Sequence, residues 1–211
     1  MSQVVHTDDV TWALLEALFG LEMVEGDRIF SDMAQELPPL GAIERDSVDQ
    51  ARREIEYFSQ FGLEASGALV LLALSPLLKL AGYYSAPYEV QTQKIASTMV
   101  PEGNLEFRGL IPIQVCRGEE WVVTIAAGGE ELSASLPQMI TWMLARPDHS
   151  QPGWGLLTNG LTFQVLSLEG QTVNLSPLWQ LGEDLPKVAQ LLKGISPFQP
   201  PQYSELLVGA A

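Results

Sequence analysis

Apolar residues in the first third of the chain recur at helical spacing. Val10, Leu14, Leu15 and Leu18 follow the capping sequence Thr7-Asp8-Asp9, which predicts a first helix ending near Phe19. Gly26, Pro38, Pro39 and Gly41 then mark a turn-rich stretch. Asp46 opens a second helical pattern, with Val48, Ala51, Ile55 and Phe58 on one face and Gly62 closing it. Residues 64–80 are helical again, with Pro76 kinking the helix or starting a new turn.

From Tyr88 the pattern changes to short extended runs, 89–98, 105–116 and 121–126. Pro101-Glu102-Gly103-Asn104 and Arg117-Gly118 supply the turns of an antiparallel meander. Ser135 and Pro137 begin a helix carrying Leu136, Ile140, Met143 and Leu144, which ends before Pro147. Runs 154–158 and 161–168 flank Asn159-Gly160, a strong hairpin signal. A last helix spans 184–193. The expected fold is a mixed α/β (α+β) chain with an αβββαβ core at 83–196. A helical region, 1–82, packs on it, and 197–211 form an extended or flexible tail.

Composition narrows the function classes. At 211 residues, 46% hydrophobic and 18% charged, the chain can bury a core of its own. Twenty-six acidic against eleven basic residues give a net charge of −15, whose field repels phosphate backbones and anionic membranes. Arg52, Arg53, Lys79, Lys94, Arg108 and Arg117 are scattered, so only folding could gather them into a basic cleft. The single Cys116 cannot form an internal disulfide, and no charged-then-apolar leader precedes Val4, so a cytoplasmic location is expected. The longest apolar stretch, 68–81, is too short for a membrane span and contains Ser75, Pro76 and Lys79.

Several local strings resemble the restriction-endonuclease-like PD-(D/E)XK family. The likeness is to the cyanobacterial proteins labelled restriction endonuclease subunit R, related to the N-terminal nuclease domain of type I restriction enzymes. The strings run from Leu74-Ser75-Pro76-Leu77-Leu78-Lys79 to Leu80-Ala81-Gly82-Tyr83-Tyr84, then Arg108-Gly109-Leu110-Ile111 and Leu136-Pro137-Gln138 with Trp142-Met143-Leu144. Gly155-Leu156-Leu157-Thr158-Asn159-Gly160 with Phe163, and Leu37-Pro38-Pro39-Leu40, extend it over most of the chain.

The resemblance implies an Asp on the second core strand and a Glu on the third that hold Mg²⁺, with a Lys two residues after the Glu. In register with the family, the Asp position is Pro112, and the Glu-x-Lys positions hold Ala126-Ala127-Gly128. A further Glu of the family corresponds to Gln93, and Gln138 matches its helix glutamine. Gln93, Pro112, Ala126 and Gly128 therefore form a degenerate motif with Gln138 retained. No catalytic residue, metal ligand or cofactor is expected.

The leading expectation is a pseudoenzyme, a nuclease-like protein acting in protein binding, assembly or regulation through a protein partner whose identity the residues do not carry. Two alternatives remain. One is a Mg²⁺-dependent DNA endonuclease with a site relocated to Glu119, Glu120, Glu130 and Glu131; adjacent acidic pairs at strand ends are more often solvated charge. The other is non-catalytic nucleic-acid binding through Gln138 and the basic residues, against which the net charge counts. A homo-oligomer is left open. His6 and His149 flank no nucleophile motif and read as surface residues. Trp121, Trp142 and Trp154 read as core, and Gly128-Gly129 as a tight turn, because no Lys-Ser/Thr follows.

Overall fold

The computed structural model describes residues 3–26, 28–37, 39–61, 67–100, 105–129 and 131–195. The expected tail at 197–211 lies outside the described residues. Strand β1 (Gln3–His6) leads through a 3-10 turn (Thr7–Asp9) to α1 (Trp12–Phe19) and β2 (Glu22–Glu25). Helices α2 (Arg28–Glu36), α3 (Ala42–Ser59) and α4 (Gly67–Leu80) follow. The expected meander is β3 (Tyr88–Met99), β4 (Leu105–Arg117) and β5 (Glu120–Ala127), and α5 (Leu136–Leu144) crosses to β6 (Gly153–Thr158). The chain continues through β7 (Thr162–Glu169), β8 (Thr172–Leu175), β9 (Trp179–Gln180) and α6 (Leu181–Ile195). The described residues thus form a mixed α/β protein with six α-helices and nine strands, and the αβββαβ order stands at α4–β3–β4–β5–α5–β6.

All nine strands belong to one mixed sheet. Along one edge β4 pairs with β3, antiparallel, over its whole length. Its other edge is divided: β1 takes Leu105–Arg108 in parallel, and β5 takes Ile113–Arg117 antiparallel. Beyond β5 come β6, parallel to it across the α5 crossover, then β7 and β8, with β9 beside the start of β7 and β2 parallel to β8.

Helices cover both faces. On one, Phe30 of α2, Ile55 of α3, Leu74 and Leu77 of α4 and Leu191 of α6 bury Val115, Val123, Ile125, Leu156 and Phe163. On the other, Leu15 of α1 and Met139, Ile140 and Trp142 of α5 bury Phe107, Ile111, Ala126, Leu157 and Leu166. Each fully buried Leu, Ile or Phe stabilises the fold by about 1.5–3 kcal/mol. The string 74–84 is therefore chiefly core: Leu74, Leu77, Leu78, Ala81 and Tyr83 are buried, and the Tyr83 hydroxyl donates to the Leu192 carbonyl of α6 at 2.8 Å.

Four readings need correction. The segment 1–82 is not wholly helical, because β1 and β2 both join the sheet; at four residues each they are too short to show alternation. The turn-rich stretch contains α2, whose Phe30, Met33, Ala34 and Leu37 have helical spacing and pack on the core. Phe58 is 38% exposed and stands edge-on to Tyr57 at 5.5 Å instead of following Ile55 inward. The Asn159-Gly160 hairpin is present but wider than two residues. Asn159 Oδ1 accepts from the Leu161 and Thr162 amides, and Gly160 sits at φ 91°, where a side chain would be strained.

The β3–β4 pair reverses its faces partway along. In the lower half of β4, Phe107 and Ile111 face the α1/α5 core, whereas Ile113 and Val115, of the same parity, face the α3/α4/α6 core. On β3, Tyr88 and Val90 belong to the second core and Ala96 to the first. The switch falls at Gln93, whose φ of 52° is left-handed, opposite Pro112, which has no amide hydrogen to give the ladder. Left-handed backbone costs a non-glycine residue roughly 1–2 kcal/mol. Gln93→Gly is therefore expected to stabilise the protein by about 0.5–1 kcal/mol and Gln93→Val to destabilise it by about 1–2 kcal/mol, read from urea unfolding midpoints.

Candidate functional site

The sheet register brings the motif positions together. Thr92 pairs with Ile113 and Lys94 with Ile111, so Gln93 lies opposite Pro112. Ile113 pairs with Ile125, and one step further the same count sets Ala126 beside Pro112. Gln93, Pro112 and Ala126 thus form one row across three strands, and Ala126 pairs onward with Leu157. Gly128 follows the end of β5, its amide donating to the Thr158 carbonyl at 2.9 Å. A Cβ at Gly128 would meet Leu132 Cδ2 at 2.6 Å, so this turn is closed by the segment that leads into α5. Gln138 is on the first turns of α5, on the Ala126 side of the sheet.

The row does not suit a hard divalent cation. Pro112, Ala126 and Gly128 offer no side-chain oxygen, and Gln93 and Gln138 offer only neutral amides, whereas Mg²⁺ is held through carboxylates. The next polar pair on β4 and β5 is neutral and satisfied. Thr124 Oγ1 donates to Gln114 Oε1 at 2.8 Å, while Gln114 Nε2 reaches the Val115 and Val123 carbonyls at 3.0 Å each; both side chains are buried. Among the described residues, no group of three or more His, Cys, Asp or Glu is placed to hold a metal ion.

The N-terminal segment covers this region. Strand β1 ends where His6 pairs with Arg108, and the chain turns so that Thr7 lies over Gly109; a Cβ there would fall 2.0 Å from Thr7 Oγ1. One residue on, Asp8 Oδ1 accepts from Gln138 Nε2, tying the turn to α5. Val10 is buried in the same core as Ile111, Ala126 and Leu136. From the sequence, Thr7 and Asp8 read as helix-capping residues and Gly109 as part of a resemblance string, and none of them as a cover for the row. A lone glycine inside a strand was their one local signal, since it marks a close approach of other groups.

The other candidates are dispersed. Glu119 and Glu120 sit at the β4–β5 turn, where Glu120 pairs with Arg117 at 2.6 Å. Glu131 lies past the opposite end of β5, a strand of eight residues that spans about 26 Å at 3.3 Å per residue. Glu130 lies outside the described residues. Arg52 pairs with Asp49 at 3.1 Å and Arg108 with Glu106 at 2.6 Å; Arg53 and Lys79 are exposed on α3 and α4. The Lys94 ammonium stands 4.9 Å from the centre of the Trp121 ring and 3.4 Å from Cys116 Sγ, and burial pushes that thiol's pKa up, away from reactivity. His6 and His149 are largely exposed, and partial desolvation, with the nearby Arg146 charge, lowers the pKa of His149.

A depression of about 510 Å³ lies away from the row, lined by Arg117, Glu120, Trp121, Arg146 and Trp154 among others. Trp121 and Trp154 are thus half-buried around it, while Trp142 is core. Its buried Arg146 is engaged by backbone carbonyls. The guanidinium donates to the carbonyls of Met143, Asp148, Gln151 and Leu168, closing the C-terminus of α5, and desolvation lowers its pKa.

A comparison with protein-family models gives no match, and a search of curated proteins finds no significant relative. Thr7 Oγ1 is buried without a hydrogen-bond partner. Thr7→Val should therefore be stabilising by up to about 1 kcal/mol. Gly109→Ala should push the turn off the sheet, costing about 1–3 kcal/mol and exposing the first ten residues to limited proteolysis.

Proposed function

We propose that the chain is a nuclease-like protein without catalytic activity, which works by binding another protein. The αβββαβ order, with α4 and α5 on opposite faces of the sheet, supports the resemblance to the restriction-endonuclease-like architecture. The observation that carries the functional part is the row Gln93–Pro112–Ala126. The positions from which carboxylates would reach a cation are gathered in one place, they are uncharged, and the segment Thr7–Val10 closes over the neighbouring sheet. A fold that keeps this frame without its charged groups leaves the outer surface as the working part.

The surface is strongly acidic, and the basic side chains Arg52, Arg108 and Arg117 each pair with a local carboxylate instead of lining a common groove. Such a field favours a basic protein patch over DNA. Among the described residues, no helix is long and apolar enough to cross a membrane. The separation of Glu119 and Glu120 from Glu131 along β5 counts against a relocated acidic site.

Purified protein incubated with supercoiled and linear DNA in Mg²⁺ or Mn²⁺, beside EDTA and Gln138→Ala controls, tests this reading. The expected result is no cleavage above background and no salt-sensitive DNA retention. Cleavage that EDTA abolishes would establish a nuclease; retention without cleavage would establish nucleic-acid binding. Either result overturns the proposal.

A further inference from the structure

The second half of β3 is an open sheet edge. Among the described residues, β3 pairs with β4 alone, so the outer amides and carbonyls of residues 94–99 have no described strand beside them. Folded proteins guard such edges with outward lysines, prolines or bulges, because an open edge templates pairing with another chain. Here the one lysine is turned inward, onto Trp121 and Cys116. The next five residues, Ile95-Ala96-Ser97-Thr98-Met99, are uncharged in a chain of net charge −15.

The face beside this edge is also uncovered. Ile95 is 69% exposed, its cross-strand partner Leu110 55% and Met99 51%. Ala96 and Thr98, of the opposite parity, face inward: Ala96 is core, and the Thr98 hydroxyl meets the Leu144 carbonyl of α5 at 3.5 Å. Ser97 is on the open face, donating to Glu106 Oε1 at 2.6 Å. The left-handed residue at Gln93 ends the regular edge on one side, leaving a pairing segment of about one short strand.

We infer that this edge is a homodimer interface, in which residues 95–99 of two copies pair antiparallel about a two-fold axis at Ser97. The sequence is self-complementary in that register. Ile95 of each copy stands opposite Met99 of the other on the open face, Ala96 stands opposite Thr98 on the inner one, and Ser97 meets its own copy. No like charges are opposed within the Ile95–Met99 segment, so two acidic chains meet where neither carries charge on the pairing edge. Moving the axis towards Gln93 would draw the left-handed residue into the ladder and break it. The inference is independent of the proposed loss of catalysis, and no DNA-cleavage result bears on it.

Sedimentation velocity and light scattering across a dilution series, with full-length protein, read the outcome. The wild type should have twice the 23.1 kDa chain mass. The variant carrying Ile95→Lys and Met99→Lys, which sets lysines opposite one another, should run as a monomer with an unchanged circular dichroism spectrum. Ser97→Cys should form a covalent dimer under mild oxidation, whereas the wild type, with its buried Cys116, should not. A monomeric wild type, or a folded lysine variant that stays dimeric, overturns the inference. If the lysine variant fails to fold, Ser97→Cys decides, and the absence of a covalent dimer is then the contradicting result.

Discussion

Pro112 has no amide hydrogen, and the arrangement around it follows from that constraint. A proline inside a sheet removes a ladder hydrogen bond and is normally confined to edges and irregularities. Here it lies within β4, with strands on both sides. On one side the chain meets it with a left-handed residue, Gln93; on the other, β1 stops at Arg108 and β5 begins at Ile113. Residues 109–112 therefore occupy a seam between two partner strands. At that seam the inward-facing parity of β3 and β4 reverses, which lets one long hairpin serve the α1/α5 core with its far half and the α3/α4/α6 core with its near half.

A seam in a buried sheet must be closed, and the N-terminal turn closes it. Thr7 fits over Gly109 because glycine leaves room there, Asp8 takes the Gln138 amide, and Val10 joins the core below. The same place is where the family resemblance would put a charged metal site. Carboxylates at the buried positions Ala126 and Gly128 would need a cation or water to offset the cost of burial. Proline, alanine and glycine have no such need, and they pack against apolar neighbours. The chemistry of the row and the architecture around it are thus two aspects of one arrangement.

Much of the frame was legible in the sequence. The meander, the α5 crossover and the closing helix followed from periodicity with local turn chemistry, as at Asn159, whose side chain caps its own turn. What escaped was short or non-local. Strands β1, β2, β8 and β9 have two to four residues each, too few to show alternation, and they exist because a neighbouring strand pairs with them. Helix α2 was hidden between Gly26 and Pro38, although Phe30, Met33, Ala34 and Leu37 carried its spacing. For the site, the resemblance supplied candidate positions one by one, and their alignment in a single row depends on the register of three strands. The cover depends on a contact between Thr7 and Gly109, of which a glycine inside β4 is the one local sign.

The central claim is that the row Gln93–Pro112–Ala126 does not hold a divalent cation. Titrating Mn²⁺ into ¹⁵N-labelled protein while following amide line widths tests this most directly, because paramagnetic broadening marks the residues around a bound ion. The account predicts no selective broadening of residues 109–114 and 124–128. Broadening centred on those residues and reversed by EDTA would contradict it.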